Sequence, residues 1–191
     1  DIYYALSAIK NVGYKSAAMI YENKKENGAY KTLFDLCSID SRVINKKILE
    51  NLIFSGACDC LEGNRAEKIE TVEIALKYGQ KLTAEKQSPQ SNLFVGSSES
   101  ALSPPLLLEA KEFENNIIIQ SEKNAFGFYL SSSPLDSFKN DLMEFSNVGV
   151  KANNKLYKLY KAGGIIIEQK VLFDRKNNQW AIITLECMLG R

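Results

Sequence analysis

The sequence predicts a mainly α-helical protein that ends in a β-hairpin. Three observations carry this. Apolar residues recur at helical spacing over most of residues 6–145. Glycine-bearing turns separate the helical stretches at Gly13, Gly28, Gly56 and Gly63. Beyond residue 162 the pattern changes: GGIIIEQKVLF (163–173) and QWAIITLEC (179–187), rich in β-branched residues, flank the turn cluster Asp174–Asn178. A lone two-stranded hairpin is marginal in water, so these strands are expected to pack on the helices or to open a larger β-domain.

In chain order, Ile9–Ile20 (IKNVGYKSAAMI) reads as a short helix, a tight turn at Lys10–Gly13 and a second helix. Gly13 has no Cβ, so it can take a positive φ and admit another backbone. Asn11 is the non-glycine type that best tolerates the left-handed region. Such a turn leaves the N–H groups of a helix start pointing outward, a cradle for phosphate with Lys10 and Lys15 beside it. This is the form of a helix-hairpin-helix contact to a DNA backbone, with Lys10, Asn11, Val12, Gly13 and Lys15 as candidates. An ordinary αα-turn closed by glycine fits the same residues.

The helix after this turn is expected to stop at Asn27–Gly28. Thr32 and Asp35 form a capping-box pattern, and Leu33, Phe34 and Leu36 read as core. Asn45 caps a helix whose buried face is Ile48, Leu49, Leu52 and Ile53, ending at Ser55–Gly56. Asn64 then caps a longer helix carrying Ala66, Ile69, Val72 and Leu76. Helix, glycine turn and helix thus occur twice. Two such units double the phosphate contacts and fix an orientation on a duplex. Ser55, Gly56, Ala57, Asn64 and Arg65 are the candidates in the second unit, where Arg65 reads either as a phosphate ligand or as a solvated arginine.

Lys86–Pro105 is a linker in composition. It contains Gln90, Ser91, Asn92, Leu93 and Phe94. Leaving two large apolar side chains in water costs roughly 3–5 kcal/mol, so Leu93 and Phe94 should be buried. They either fold back on their own domain or fill a partner's pocket as a linear docking motif anchored by Gln90. Leu106–Leu130 is predicted helical. Ser133 caps a further helix with Pro134 at its first position, whose buried face is Leu135, Phe138, Leu142 and Phe145.

Composition narrows the chemistry. Lys+Arg 24 against Asp+Glu 23 gives net +1, so a nucleic-acid role must rest on local placement of charge. Four cysteines, with no CxxC pair and no histidine, cannot assemble a familiar zinc site. They read as reduced, buried residues of a cytoplasmic protein. The lack of histidine excludes Ser-His-Asp and Cys-His catalysis. No apolar run approaches the ~20 residues of a membrane span. The chain starts at Asp1 and stops at Arg191, and is read as a fragment of a longer protein.

The order of these motifs resembles the C-terminal region of the bacterial replicative DNA polymerase III alpha-subunit family. Leu6–Gly13 (LSAIKNVG) is similar to that family's G-L-G-A-I-K-G-V-G, with Asn11 in place of a glycine. Leu49–Arg65 resembles its second helix-hairpin-helix unit. Gln90–Phe94 (QSNLF) resembles its sliding-clamp motif, and EKNAFGFYL (122–130) with Ser133-Pro134-Leu135-Asp136 resembles a stretch that carries histidine where Ser133 stands. The terminal strands resemble the first two of the five in an OB-fold.

The resemblance implies a tandem helix-hairpin-helix domain at 1–85 and a clamp-binding linker at 86–105. A helical segment at 106–146 and an incomplete OB-fold at 147–191 follow. It also implies double-stranded DNA, the sliding clamp and other replicase subunits as partners, and no membrane. The parent would be a DNA-directed DNA polymerase using Mg in a domain not present here, so this fragment would hold no catalytic residue, metal or cofactor. A helix-hairpin-helix repair protein and a structural connector without direct DNA contact are the alternatives.

Overall fold

The structure is a computed structural model and describes residues 4–40, 42–87, 103–145 and 161–187. Its contacts divide the chain into two compact units, Asp1–Ser131 and Ser132–Arg191. Among the described residues it is mainly helical and ends in one antiparallel hairpin, as the sequence predicts.

In the first unit, α1 (Tyr14–Asn27) follows a 3-10 turn at Leu6–Ala8. It stops at Gly28, whose φ of 90° lets its N–H reach the Lys24 carbonyl at 2.9 Å. Three short-range caps start the next helices. For α2 (Leu33–Cys37), Thr32 Oγ1 accepts the Asp35 N–H at 3.2 Å while Asp35 accepts the Thr32 N–H at 2.9 Å. For α3 (Lys46–Phe54), Asn45 Oδ1 accepts the Ile48 N–H at 3.0 Å. For α4 (Arg65–Gln87), Asn64 and Glu67 bond reciprocally, at 2.7 and 2.8 Å.

α2 and α3 both pack on α4. Leu33, Phe34, Leu36, Leu49, Leu52, Ile53, Val72 and Ala75 fill the space between them. The α2–α4 approach is close enough that a Cβ on Gly79 would run into the backbone carbonyl of Cys37.

The expected helix over Leu106–Leu130 is narrower. α5 spans Asn115–Phe126, and 103–114 is a strap without regular secondary structure. Pro104 and Pro105 lack the N–H a helix needs. The polar groups that follow find partners on α4 and on Asn64 just before it, instead of within a helix. The Leu108 N–H donates to Thr71 Oγ1 at 2.9 Å, and the Ala110 carbonyl accepts from Asn64 Nδ2 at 2.9 Å.

In the second unit, Ser133 and Asp136 do form a start signal: Ser133 Oγ accepts the Leu135 N–H at 3.2 Å and Asp136 accepts the Ser133 N–H at 2.7 Å. A 3-10 turn at Asp136–Phe138 leads into α6 (Lys139–Phe145). Leu135 is buried, but Phe138 and Phe145, predicted on the inner face, are exposed. The helical period had joined a 3-10 turn to an α-helix as one face, and the change of pitch breaks that face.

β1 (Ile165–Phe173) pairs with β2 (Gln179–Glu186), with a register shift between Ile166 and Glu168. The turn is held by Asp174, whose carboxylate accepts the N–H groups of Lys176 and Asn178 at 2.8 Å each.

Candidate nucleic-acid interface

The first bend is built from the core outward. Ile9 and Val12 are both 3% exposed and pin it to the interior. Between them Asn11 takes φ 66°. The left-handed residue is therefore Asn11, whereas Gly13 sits at φ −70°, where any residue is at ease. The Val12 N–H closes the turn on the Ile9 carbonyl at 3.0 Å. The Lys10 N–H leaves the turn for the Ala125 carbonyl at 2.8 Å, which ties the bend to the end of α5.

Gly13 is the N-cap of α1 and supplies no side-chain cap. The first bond within the helix is from the Ala17 N–H to the Gly13 carbonyl, at 3.0 Å. The N–H groups of Gly13, Tyr14, Lys15 and Ser16 have no hydrogen-bond partner among the described residues. The first turn of α1 also carries no acidic residue. Among the described residues, a Cβ on Gly13 would meet no atom within 4 Å beyond its chain neighbours, so none of them requires glycine there. Lys10 and Lys15 are exposed, and Tyr14 is 81% exposed.

Ser16 is held from the side, its Oγ donating to the Val43 carbonyl at 3.1 Å. Asp40 is an acidic group that feels Lys15. Arg42 neutralises it, and the Arg42 hydrogen bonds hold its carboxyl down to about 2.

The second bend differs in the space around its glycine and in the state of its N–H groups. Gly56 takes φ 81°, and a Cβ there would collide with the Arg65 guanidinium. The Ser55, Gly56 and Ala57 N–H groups are all taken, by the Asn51 and Ile53 carbonyls at 3.0 Å and by Ser55 Oγ at 3.4 Å. At the start of α4, the Asn64 and Glu67 N–H groups bond to each other's side chains. The Arg65 and Ala66 N–H groups donate to the Glu112 carboxylate at 3.0 and 3.2 Å. Burial pushes the Glu112 carboxyl up, but the N–H groups of Arg65, Phe113 and Ala66 outweigh it and hold the group below its ordinary range.

Arg65 is not a solvated arginine either, its side chain being 11% exposed. Its Nε and Nη2 donate to Asp59 at 2.9 and 2.6 Å, and both terminal nitrogens reach Glu122 Oε1, at 3.1 and 3.0 Å. Asp59 hydrogen bonding raises its pKa further, so it remains a cation throughout. The two bends are thus unlike. One leaves a helix start open beside two lysines; the other is closed by the chain's own carboxylates. Of the expected phosphate contacts at Ser55, Gly56, Ala57, Asn64 and Arg65, the five backbone N–H groups and the Arg65 guanidinium already have partners within the chain. Gln90, Ser91, Asn92, Leu93 and Phe94 lie outside the described residues.

The sequence reading missed Glu112 and Glu122. Glu122 carried a signal: it shares one helix face with Ile119 and Ala125, and all three are buried. A carboxylate on an apolar stripe asks for a buried cation. Among the described residues no cluster of acidic or cysteine side chains could hold a metal ion, and no helix is long and apolar enough to cross a membrane.

The first unit therefore carries a helix-hairpin-helix fold, and a model of the helix-hairpin-helix motif matches residues 1–68. Over its whole length the chain is similar to proteins named DNA polymerase III subunit alpha. That of Buchnera aphidicola from Acyrthosiphon pisum is 32% identical over 97% of the chain, and that of Bacillus subtilis is 31% identical over 100%. The Escherichia coli K12 protein is 26% identical over 100%. The chain is a homologue of the helix-hairpin-helix region of the bacterial DNA polymerase III alpha subunit. It spans 16–17% of the length of these relatives.

Proposed function

We propose that this chain is a DNA-gripping and clamp-docking region of a bacterial replicative DNA polymerase, and that its contact to duplex DNA is made at the first bend. The open N–H groups of Gly13–Ser16 carry this reading. They lie at the start of a 14-residue helix, beside exposed Lys10 and Lys15 and within the stretch matched by the helix-hairpin-helix model. Backbone N–H groups at a helix start bind phosphate through direct hydrogen bonds and the favourable end of the helix dipole. Such a contact reads no base edges and ignores sequence. A glycine with open space around it gives a phosphate room to approach the backbone.

Gln90, Leu93 and Phe94 would dock to the ring-shaped sliding clamp, the glutamine by hydrogen bonds and the apolar pair in a pocket. Tethering converts release from DNA into rapid recapture, because the polymerase stays at high effective concentration. Nucleotidyl transfer and its Mg would belong to parts of the whole protein outside this chain, in the cytoplasm with the other replicase subunits.

The closed second bend favours a structural role for that unit, as the support of the first. Titrating the chain with duplexes of unrelated sequence at several salt concentrations tests the DNA reading. Equal affinity for all sequences and a steep loss with salt are expected.

A further inference from the structure

We propose that Glu122, with Arg65 as its partner, is a positioning residue for the first bend. It fixes the Ala125 carbonyl against the Lys10 N–H, and through that bond the pose of the amides of Gly13–Ser16. The functional consequence rests on the DNA reading above; the coupling itself does not.

In the turn from Lys10 to Gly13, the Lys10 N–H is the donor whose partner is distant in sequence, the Ala125 carbonyl at 2.8 Å. The Val12 N–H closes locally on Ile9. The orientation of the bend therefore depends on where the end of α5 sits. Ala125 lies three residues after Glu122 on the same buried face, less than one helical turn and about 4.5 Å along the axis. A shift of Glu122 is a shift of that carbonyl.

Glu122 is held on both oxygens. Oε1 accepts from Arg65 Nη1 and Nη2 at 3.1 and 3.0 Å, and Oε2 accepts from the Ser131 N–H and Oγ at 3.2 and 2.6 Å. Its side chain is 3% exposed. Arg65 is anchored in turn by Asp59 and by the Phe54 carbonyl, at the end of α3. Replacing the Glu122 carboxylate leaves Arg65 paired with Asp59 but weakens the charge-assisted bonds that hold Glu122 itself, so the end of α5 is free to shift. The second bend then acts on DNA without touching it, through Arg65, Glu122, Ala125 and Lys10.

The test is amide hydrogen exchange on the 191-residue chain without DNA, followed by duplex titration. In Glu122→Gln, the Lys10 amide is expected to exchange at least tenfold faster, while the α3 amides of Leu52 and Ile53 change less than threefold. Global destabilisation alone would speed all of them together. Duplex affinity should fall at least threefold. If Glu122→Gln does not fold, Ser131→Ala keeps the ion pair, removes one donor and should move Lys10 exchange in the same direction by a smaller factor.

Unchanged Lys10 protection in the folded variants overturns the coupling. Faster Lys10 exchange with unchanged duplex affinity overturns the positioning role. Absence of salt-sensitive duplex binding by the unsubstituted chain would instead sink the DNA reading, with the exchange result still deciding the coupling.

Discussion

Glu112 sits on the start of α4, its Oε2 accepting the Arg65 N–H at 3.0 Å. The strap that delivers it begins some forty residues downstream of that helix start, and in fixing it the chain supplies its own anion where the second bend would otherwise meet a phosphate. That relationship separates the two bends, and the predictions follow from the difference.

The Glu112 carboxyl is held below its ordinary value of 4.5. A group depressed in the folded state stabilises at pH above its unfolded pKa and loses that contribution as pH falls through the folded value. Thermal unfolding of the chain should therefore show an acid limb beginning below about pH 4.5 that is smaller in Glu112→Gln. At pH 7 the substitution should cost about 0.5–1 kcal/mol, the group being exposed and screened. Equal stability of the two chains across pH 3–7 contradicts the capping role.

Gly79→Ala should destabilise the first unit, because its Cβ would meet the backbone of Cys37 and neither helix can yield cheaply. Overpacking of this kind costs about 1–3 kcal/mol. Denaturant unfolding measures it directly. A neutral result would mean that α2 and α4 cross less tightly than described.

Gly13→Asp separates folding from binding. The residue is an N-cap at φ −70° with open space around it, so aspartate fits and caps α1. Stability should rise by about a few tenths of a kcal/mol. A carboxylate there competes with phosphate for the same N–H groups, and duplex affinity should drop about tenfold or more. Calorimetry and fluorescence anisotropy report the two effects independently.

Leu93→Ala with Phe94→Ala should abolish binding to the cognate sliding clamp and leave the unfolding temperature unchanged. Surface plasmon resonance on immobilised clamp checks the first, and a thermal melt the second. Retained clamp affinity removes the docking motif from the account.

Local chemistry made much of the fold legible. The stop at Gly28, the Thr32–Asp35 box and the Asn45 and Asn64 caps each depend on residues within a few positions of one another, and the strands on their own β-branched runs. The strap was not legible, because its partners Asn64, Arg65 and Thr71 lie 37–47 residues away. Periodicity alone extended a helix over it. The same distance concealed the fate of Arg65, whose pairing with Glu122 spans 57 residues. At the first bend the sequence located the turn and its lysines, but gave the left-handed conformation to Gly13 as readily as to Asn11. The buried Ile9 and Val12 decide it for Asn11.

The most direct check on the central claim is the salt dependence of duplex binding by the unsubstituted chain and by Gly13→Asp, side by side. The account predicts that log K for the former falls linearly with log salt, with a slope of about −0.9 for each phosphate neutralised, and is independent of sequence. It also predicts that Gly13→Asp binds far more weakly. Equal binding by the two chains, or affinity indifferent to salt, would contradict it.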